Sequence, residues 1–208
     1  SMKKRLLTLA ALALTMVGQA FALEVGEYGY TDTQRFKVTG ANLVVNGDFS
    51  NGSEGWTNVE GNAFNAEVWN FEESVGPNGE KVLKSVSSAT EGAAVCRSWK
   101  LDPGKYVIMY DIQGESVRPT SIVSGKVDYF DIFITSADTL GKKEGDVAVA
   151  TVNGYKDTWK TVAYLFDILE GQNLVLNTEK LNAETKFTNV CIYPVAEVYD
   201  DRILQSKL

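Results

Sequence analysis

Histidine is absent from the 208-residue chain, and only four prolines and two cysteines occur. Without histidine there is no Ser-His or Cys-His nucleophile pair and no imidazole ligand for a metal. The sequence also lacks a Gly-x-Ser-x-Gly elbow, a phosphate-binding loop and a dinucleotide-binding fingerprint between a strand and a helix. These absences exclude several common kinds of catalytic and nucleotide-binding site.

Two adjacent pairs of acids, Glu72-Glu73 and Asp200-Asp201, remain as candidates for acid–base chemistry, because two carboxylates can serve a glycosidase. Both pairs fall in expected loops, where adjacent acids are usually solvated. We therefore predict that the chain is not an enzyme. A small glycoside hydrolase is the less favoured alternative.

Long apolar runs are missing as well: the run at residues 6–17 has 12 residues, whereas a membrane-spanning helix needs about 20. Basic residues at 3–5 precede it, and Ala20 and Ala22 follow, which is the pattern of a cleavable secretory signal peptide. We predict a signal peptide at residues 1–22, export to the periplasm or the extracellular space, and no membrane span after cleavage. A core helix of the folded domain is the alternative for this run. If it is not cleaved, it could bury itself against another copy of the chain, in a crystal or a homo-oligomer.

The chain is acidic, with a formal net charge of −7. Cleavage after Ala22 would remove three positive charges and no negative ones, which leaves −10. This charge argues against binding to nucleic acid or to an anionic membrane, because basic patches supply the affinity for both. It suits a soluble protein that meets neutral ligands.

Cys96 and Cys191 are the only cysteines, and both fall on predicted strands. In an exported protein such a pair could form one disulfide. Two buried thiols are the alternative, and the sequence leaves both open.

From Asn42 onwards, short runs of alternating apolar and polar residues are separated by Gly, Asn, Asp and Pro. This pattern is typical of a β-sandwich or barrel. Tyr106, Ile108, Tyr110 and Ile112 form the clearest buried face. We predict an extended N-terminal arm at residues 23–41 and one all-β domain at residues 42–208. About ten strands are predicted, at residues 43–49, 64–71, 81–87, 93–101, 106–112, 127–135, 146–152, 158–168, 173–178 and 186–195.

Three landmarks follow one another in the sequence: residues 42–50 with Gly55-Trp56, then residues 101–106, then Trp159 with the alternating residues of 162–166. In this order they resemble the opening strand, a central turn and a late strand of carbohydrate-binding modules of the family four/nine type. The resemblance covers residues 42–195. It implies a galactose-binding-like jelly roll of two antiparallel sheets, with a sugar in a concave cleft or at the loop rim.

The same resemblance implies a structural calcium ion near the first and last strands. Ser50 stands where those modules often carry an acid, and Thr188-Asn189 stands where they carry a pair of aspartates. Calcium prefers oxygen ligands that include carboxylates, so Ser50 and Asn189 weaken this inference. We expect no cofactor, with a structural calcium as the alternative.

A sugar site needs an exposed aromatic ring beside polar side chains, because sugar rings present apolar faces flanked by hydroxyl groups. Trp69 is the first candidate, since the alternation places it on one strand face with Asn65 and Glu67. Tyr129 and Asp131, on the non-core face of another strand, are the second. If the two strands share a sheet, these residues line one surface. The alternative is that Trp69 and Tyr129 are covered by the arm or by loops.

Together these observations predict a non-catalytic, secreted protein that holds an oligo- or polysaccharide by aromatic stacking and hydrogen bonds. An adhesion or assembly module that binds protein through the same fold is the alternative. Trp56 is expected to pack in the sandwich. Trp99 is expected to be buried, with room for a cation–π pair with Arg97.

Overall fold

The computed structural model describes residues 23–86, 94–114, 131–149, 158–178 and 184–200. These ranges hold eleven β-strands, and none of their residues is helical. Within the same ranges no helix is long and apolar enough to cross a membrane. The strands are β1 (Tyr28–Tyr30), β2 (Gln34–Val38), β3 (Trp69–Glu72), β4 (Val82–Ser85), β5 (Cys96–Lys100), β6 (Gly104–Gln113), β7 (Asp131–Thr135), β8 (Val147–Ala148), β9 (Lys160–Ile168), β10 (Asn173–Asn177) and β11 (Lys186–Asp200).

The strands form two antiparallel sheets. In the seven-stranded sheet β1, β2, β11, β4 and β3 lie in that order, and β6 pairs with β11 and β9. The four-stranded sheet has the order β5-β10-β7-β8. The predicted fold class, an all-β jelly-roll sandwich of two antiparallel sheets, is confirmed.

The main core lies between the two sheets, where alternate residues of each strand meet. The predicted buried face of β6, from Tyr106 to Ile112, lies in this core, as do Ile132 and Ile134 of β7. Leu174 and Leu176 of β10 join them from the four-stranded sheet. The period of two therefore predicts correctly which side of these central strands faces the core.

A second, smaller apolar cluster lies on the other face of the seven-stranded sheet. There Leu23, Phe36 and Val38 pack against residues of β6 and β11. Part of the predicted arm thus forms the β1–β2 hairpin, which pairs with the C-terminal half of β11. This hairpin covers the outer face of the sheet and extends it sideways.

The 15-residue strand β11 joins the sandwich to the hairpin. Its N-terminal half pairs with β4 and β6, and its C-terminal half pairs with β2. The register shifts between Thr188 and Cys191 and again between Ala196 and Tyr199. Asn189 and Glu197 have positive φ angles of 56° and 51° at these points, which is typical of β-bulges that bend and twist a strand.

Residues 64–68 do not belong to a strand, although the alternation predicts one from 64 to 71. The side-chain Oδ1 of Asn65 accepts a hydrogen bond of 2.9 Å from the backbone N–H of Glu67. The Asn65 carbonyl accepts hydrogen bonds from the N–H groups of Val68 and Trp69. This local Asx turn competes with strand pairing, so β3 begins only at Trp69.

Cys96 and Cys191 are both buried, and no disulfide joins them. Cys96 lies on β5 opposite Asn177, on the outer face of the four-stranded sheet. Cys191 lies in the small apolar cluster on the outer face of the seven-stranded sheet. Since packed sheets lie about 10 Å apart and bridged Cα atoms lie within about 7 Å, the sandwich itself keeps the two thiols apart. The disulfide alternative is therefore wrong.

Arg97 lies between two buried indole rings at the β5 edge of the sandwich. Its Cζ atom is 5.1 Å from the centre of a Trp56 ring and 5.3 Å from that of a Trp99 ring. Burial lowers the pKa of Arg97. The expected packing of Trp56 and the cation–π pair of Arg97 with Trp99 are both confirmed.

Candidate functional site

Trp69 lies in the main core and is only 1% exposed. Its ring centroid is 6.2 Å from that of Phe187, and the two planes are nearly perpendicular. Asn65 and Glu67 are exposed in the preceding turn. The prediction that Trp69 shares an outward strand face with them is wrong, because the turn at Asn65 breaks the alternation on which it rested.

Asp131 lies on β7, on the face of the four-stranded sheet that points away from the core, as predicted. It is nevertheless only 7% exposed, and one of its carboxylate oxygens is 3.7 Å from Nζ of Lys142. Because β3 belongs to the other sheet, Trp69 and Asp131 do not line one surface, which corrects the second expectation. Tyr129 lies outside the described residues.

A loop at residues 136–146 covers Asp131 and its neighbours. The side-chain Nδ2 of Asn177 donates a hydrogen bond of 3.0 Å to the carbonyl of Leu140 in this loop. Between the loop and residues 59–61 lies a cleft of about 280 Å³, slightly below the usual range for small-molecule sites. Polar groups line it, including Lys100 and Asn173, but no aromatic ring does.

The outward side of the β1–β2–β11 ribbon carries a group of three partly exposed tyrosines, Tyr28, Tyr30 and Tyr199. Directly opposed residues of antiparallel strands point to the same side. Phe36 faces the small apolar cluster, so its neighbours in β2 point outwards, together with their partners in β1 and β11. We call this surface the tyrosine face; it consists of Tyr28, Tyr30, Arg35, Lys37 and Tyr199.

Arg35 is the centre of the tyrosine face. Its Cζ atom lies 4.9 Å from the ring centroid of Tyr28 and 5.0 Å from that of Tyr199, within the range of cation–π contacts. Nε of Arg35 is buried and has no hydrogen-bond partner among the described residues. Tyr199 keeps 40% of its surface exposed despite this contact, so part of the ring is available to a ligand.

Glu197 fixes the other end of the face. The Tyr28 hydroxyl donates a hydrogen bond of 2.7 Å to Oε2 of Glu197, and Nζ of Lys37 lies 3.5 Å from Oε1. The hydrogen bond raises the pKa of Tyr28 and lowers that of Glu197. The carboxylate therefore stays ionised and holds both side chains in place.

Sequence reasoning missed this face because its residues come from two ends of the chain, about 160 positions apart. The sequence predicts an extended arm with little periodicity at residues 23–41, the segment that contains β1 and β2. A signal was nevertheless present: Tyr28, Gly29 and Tyr30 alternate, as do Arg35, Phe36 and Lys37, which is the period of a strand with one buried face.

The described residues show no group of three or more Cys, Asp or Glu side chains arranged for a metal ion. Glu72, from one of the adjacent acid pairs, lies on β3 and forms ion pairs with Lys84 and Lys186. Asp111 is buried on β6, and burial raises its pKa to about 6. Its hydrogen-bond partners are Thr161 and Asn189, and the charge of Glu80 contributes to the raised pKa.

The loop at residues 46–56 contains Ser50, one of the positions through which the resemblance implies calcium, and the side-chain amide of Asn46 organises it. Nδ2 of Asn46 donates hydrogen bonds of 3.0 and 2.8 Å to the carbonyls of Gly52 and Glu54. Its Oδ1 accepts one of 2.8 Å from the N–H of Asn51. A cation would need oxygen ligands facing it at this position, and here an N–H donor faces the two carbonyls. The residues present do not fit a calcium ion in this loop.

The sequence matches no protein-family model, and no curated protein matches it. Several solved structures are similar. One contains the CBM22-1–GH10 modules of xylanase 10B from Clostridium thermocellum in complex with xylohexaose. It has 14% sequence identity and a TM-score of 0.47, and the match covers 73% of this chain and 27% of that one. The module TmCBM61 in complex with β-1,4-galactotriose has 13% identity and a TM-score of 0.47 over 74% of this chain and 99% of that one. The CBM22-1 xylan-binding domain of Paenibacillus barcinonensis Xyn10C has 11% identity and a TM-score of 0.46, covering 70% and 88%. The chain thus spans about a quarter of the xylanase chain and most of the two single modules.

Proposed function

We propose that the chain is an exported, non-catalytic carbohydrate-binding protein that holds an oligo- or polysaccharide on the tyrosine face. The observation that carries this proposal is the pair of partly exposed rings, Tyr28 and Tyr199, held on either side of Arg35. Export is proposed from the signal-peptide pattern at residues 1–22.

The chemistry of the face suits a sugar in two respects. Aromatic rings offer apolar surface to the C–H faces of a pyranose, and the phenol hydroxyls, Lys37 and Glu197 offer donors and acceptors to its hydroxyl groups. The face is also already ordered, because Glu197 and Arg35 fix the rings before a ligand arrives, and less entropy is then lost on binding. The ligand class agrees with the sugars named for the xylanase modules and TmCBM61.

The test is affinity gel electrophoresis of the secreted protein against a panel of soluble polysaccharides. We expect at least one polymer to retard the wild-type protein, and Tyr199→Ala to weaken its affinity about tenfold, which corresponds to about 1.4 kcal/mol. Leu169→Ala is the matched control, since it removes an apolar side chain that is 65% exposed at a distant loop. If no polymer retards the wild-type protein, or if both variants bind equally well, the proposal fails.

An adhesion or assembly module that binds protein remains the alternative function. Free oligosaccharide separates the two, because it competes with a glycan for the tyrosine face and leaves protein contacts elsewhere unaffected. Binding to a polymer that its own oligosaccharides abolish would favour the sugar.

A further inference from the structure

Among the described residues, Arg35 forms no ion pair with a carboxylate. Six lysines form ion pairs with carboxylates: Lys37, Lys81, Lys84, Lys105, Lys142 and Lys186. The guanidinium of Arg35 carries five N–H donors, and none of them donates to a described residue. The nearby Glu197 is already engaged by Tyr28 and Lys37.

The two tyrosines hold this guanidinium in one place. With rings at 4.9 and 5.0 Å on two sides and Nε buried, the planar group has little freedom to turn. Its terminal amino groups are not among the buried polar atoms that lack a partner. A planar, pre-oriented guanidinium matches a carboxylate, which it can bind through two parallel hydrogen bonds. Lysine, with a single flexible ammonium group, cannot make that contact.

We infer that Arg35 binds the carboxylate of a uronic acid residue in the glycan, while Tyr28 and Tyr199 contact the sugar rings beside it. This inference rests on the proposed function and specifies its ligand: an acidic rather than a neutral saccharide. The contact is a charge-assisted pair of hydrogen bonds, roughly twice as strong as neutral ones.

The net charge of the chain limits how acidic the ligand can be. With a net charge of −10 after cleavage at Ala22, the exported protein repels a dense polyanion beyond the reach of Arg35. Salt screens this repulsion over a Debye length of about 8 Å at physiological ionic strength. A chain of mostly neutral sugars with isolated carboxylates avoids that repulsion. The ligand class is therefore a sparsely charged, uronate-bearing glycan and not a polyuronate.

The experiment compares each polymer with its own carboxyl-reduced form, in which the uronic acids have become neutral sugars. Glucuronoxylan, gum arabic and xanthan supply three such pairs, and polygalacturonate supplies the dense polyanion. We expect the wild-type protein to bind at least one native polymer about tenfold more tightly than its reduced form. This preference should shrink between 50 and 500 mM salt, as expected for a partly exposed charge pair.

Two variants and a control assign the preference to Arg35. Arg35→Gln should bind the native and reduced polymers equally, whereas Lys105→Gln, which removes the same charge from a side chain that is 43% exposed, should keep the tenfold preference. Arg35→Lys keeps a cation between the rings, so it serves if Arg35→Gln does not fold. It should retain only part of the preference, because the two parallel hydrogen bonds are lost.

The outcomes separate this inference from the proposed function. If wild-type protein binds native and reduced polymers equally, or if the Arg35 variants keep the full preference, the uronate inference is wrong while glycan binding stands. If the protein binds polygalacturonate more tightly than all the sparsely charged polymers, the conclusion that its net charge excludes a polyuronate ligand is wrong. If no polymer binds in either form, the proposed function fails and this inference with it.

Discussion

Nδ2 of Asn189 donates a hydrogen bond of 2.8 Å to the carboxylate of Asp111, and the Thr161 hydroxyl donates to the other oxygen of the same group. Asp111 has no exposed surface. Two neutral donors compensate only part of the loss of water around an ionised carboxylate. Burial therefore prevails and raises the pKa of Asp111 to about 6.

This shift predicts that stability depends on pH between about 4 and 6. The pKa of Asp111 is higher in the folded state than the ordinary value of 3.8, so the folded protein binds more protons in this window, and its free energy of unfolding falls as pH rises. A shift of about two units corresponds to roughly 3 kcal/mol, which is lost progressively as the pH rises from below 4 to about 7 and is constant above.

Asp111→Asn tests that prediction because an amide can accept from Asn189 and donate to the Thr161 oxygen. We expect the variant to be more stable than the wild-type protein at pH 7, by about 2 kcal/mol in urea unfolding. At pH 4 the two should be nearly equal. Parallel stability curves for both proteins from pH 4 to pH 7 would contradict the raised pKa.

Trp69 is predicted to matter for folding and not for binding. Trp69→Ala should lower the free energy of unfolding by about 3–5 kcal/mol, as expected when a large buried ring is removed. Trp69→Phe keeps an aromatic ring in the core and should remain folded, so glycan binding is measured on this variant. If Trp69→Phe lowers the glycan affinity more than Tyr199→Ala does, the sugar binds near Trp69 on β3 and not on the tyrosine face.

The sequence predicts the sandwich well and the site poorly, for different physical reasons. β6 and β7 alternate strictly, and they lie between two sheets that bury one side of each strand, so the period of two suffices to assign their inner residues. The same alternation wrongly assigns Trp69 to the outer face, because the Asn65 side chain forms a turn that the hydrophobic pattern does not reveal. Local hydrogen bonds of this kind depend on backbone geometry that a hydrophobic pattern does not contain.

The sequence does not predict the tyrosine face, for a different reason. Tyr28 and Tyr199 meet only because β2 pairs with the end of β11 in a particular register. A single sequence gives no measure of that pairing, and the bulge at Glu197 shifts the register further. Each half of the face alone looks like an ordinary polar edge of the sheet.

The loop at residues 46–56 is predicted to be stable without calcium. An excess of EDTA should leave the melting temperature unchanged, because Asn46 already binds Gly52, Glu54 and Asn51. Asn46→Ala should cost about 2 kcal/mol, since three partly buried hydrogen bonds within the loop are lost. A melting temperature that falls in EDTA and recovers with calcium would show that a metal site exists after all.

The two thiols are predicted to be unreactive in the folded protein. Burial raises the pKa of the Cys191 thiol, and Cys96 has no exposed surface, so both should resist Ellman's reagent until denaturant is added. Dithiothreitol should leave the melting temperature unchanged. Loss of stability under reducing conditions, or rapid labelling of the native protein, would contradict this arrangement.

The continuity of β11 has a mechanical consequence. A polymer attached at Tyr199 would pull on a strand whose other half is hydrogen-bonded to β6 over most of its length. If the pull runs along the strand, those bonds are loaded together in shear, whereas a pull on a loop would open bonds one at a time. The ribbon is thus anchored directly in the centre of the larger sheet, and a tether at this point would be resisted by the whole sandwich.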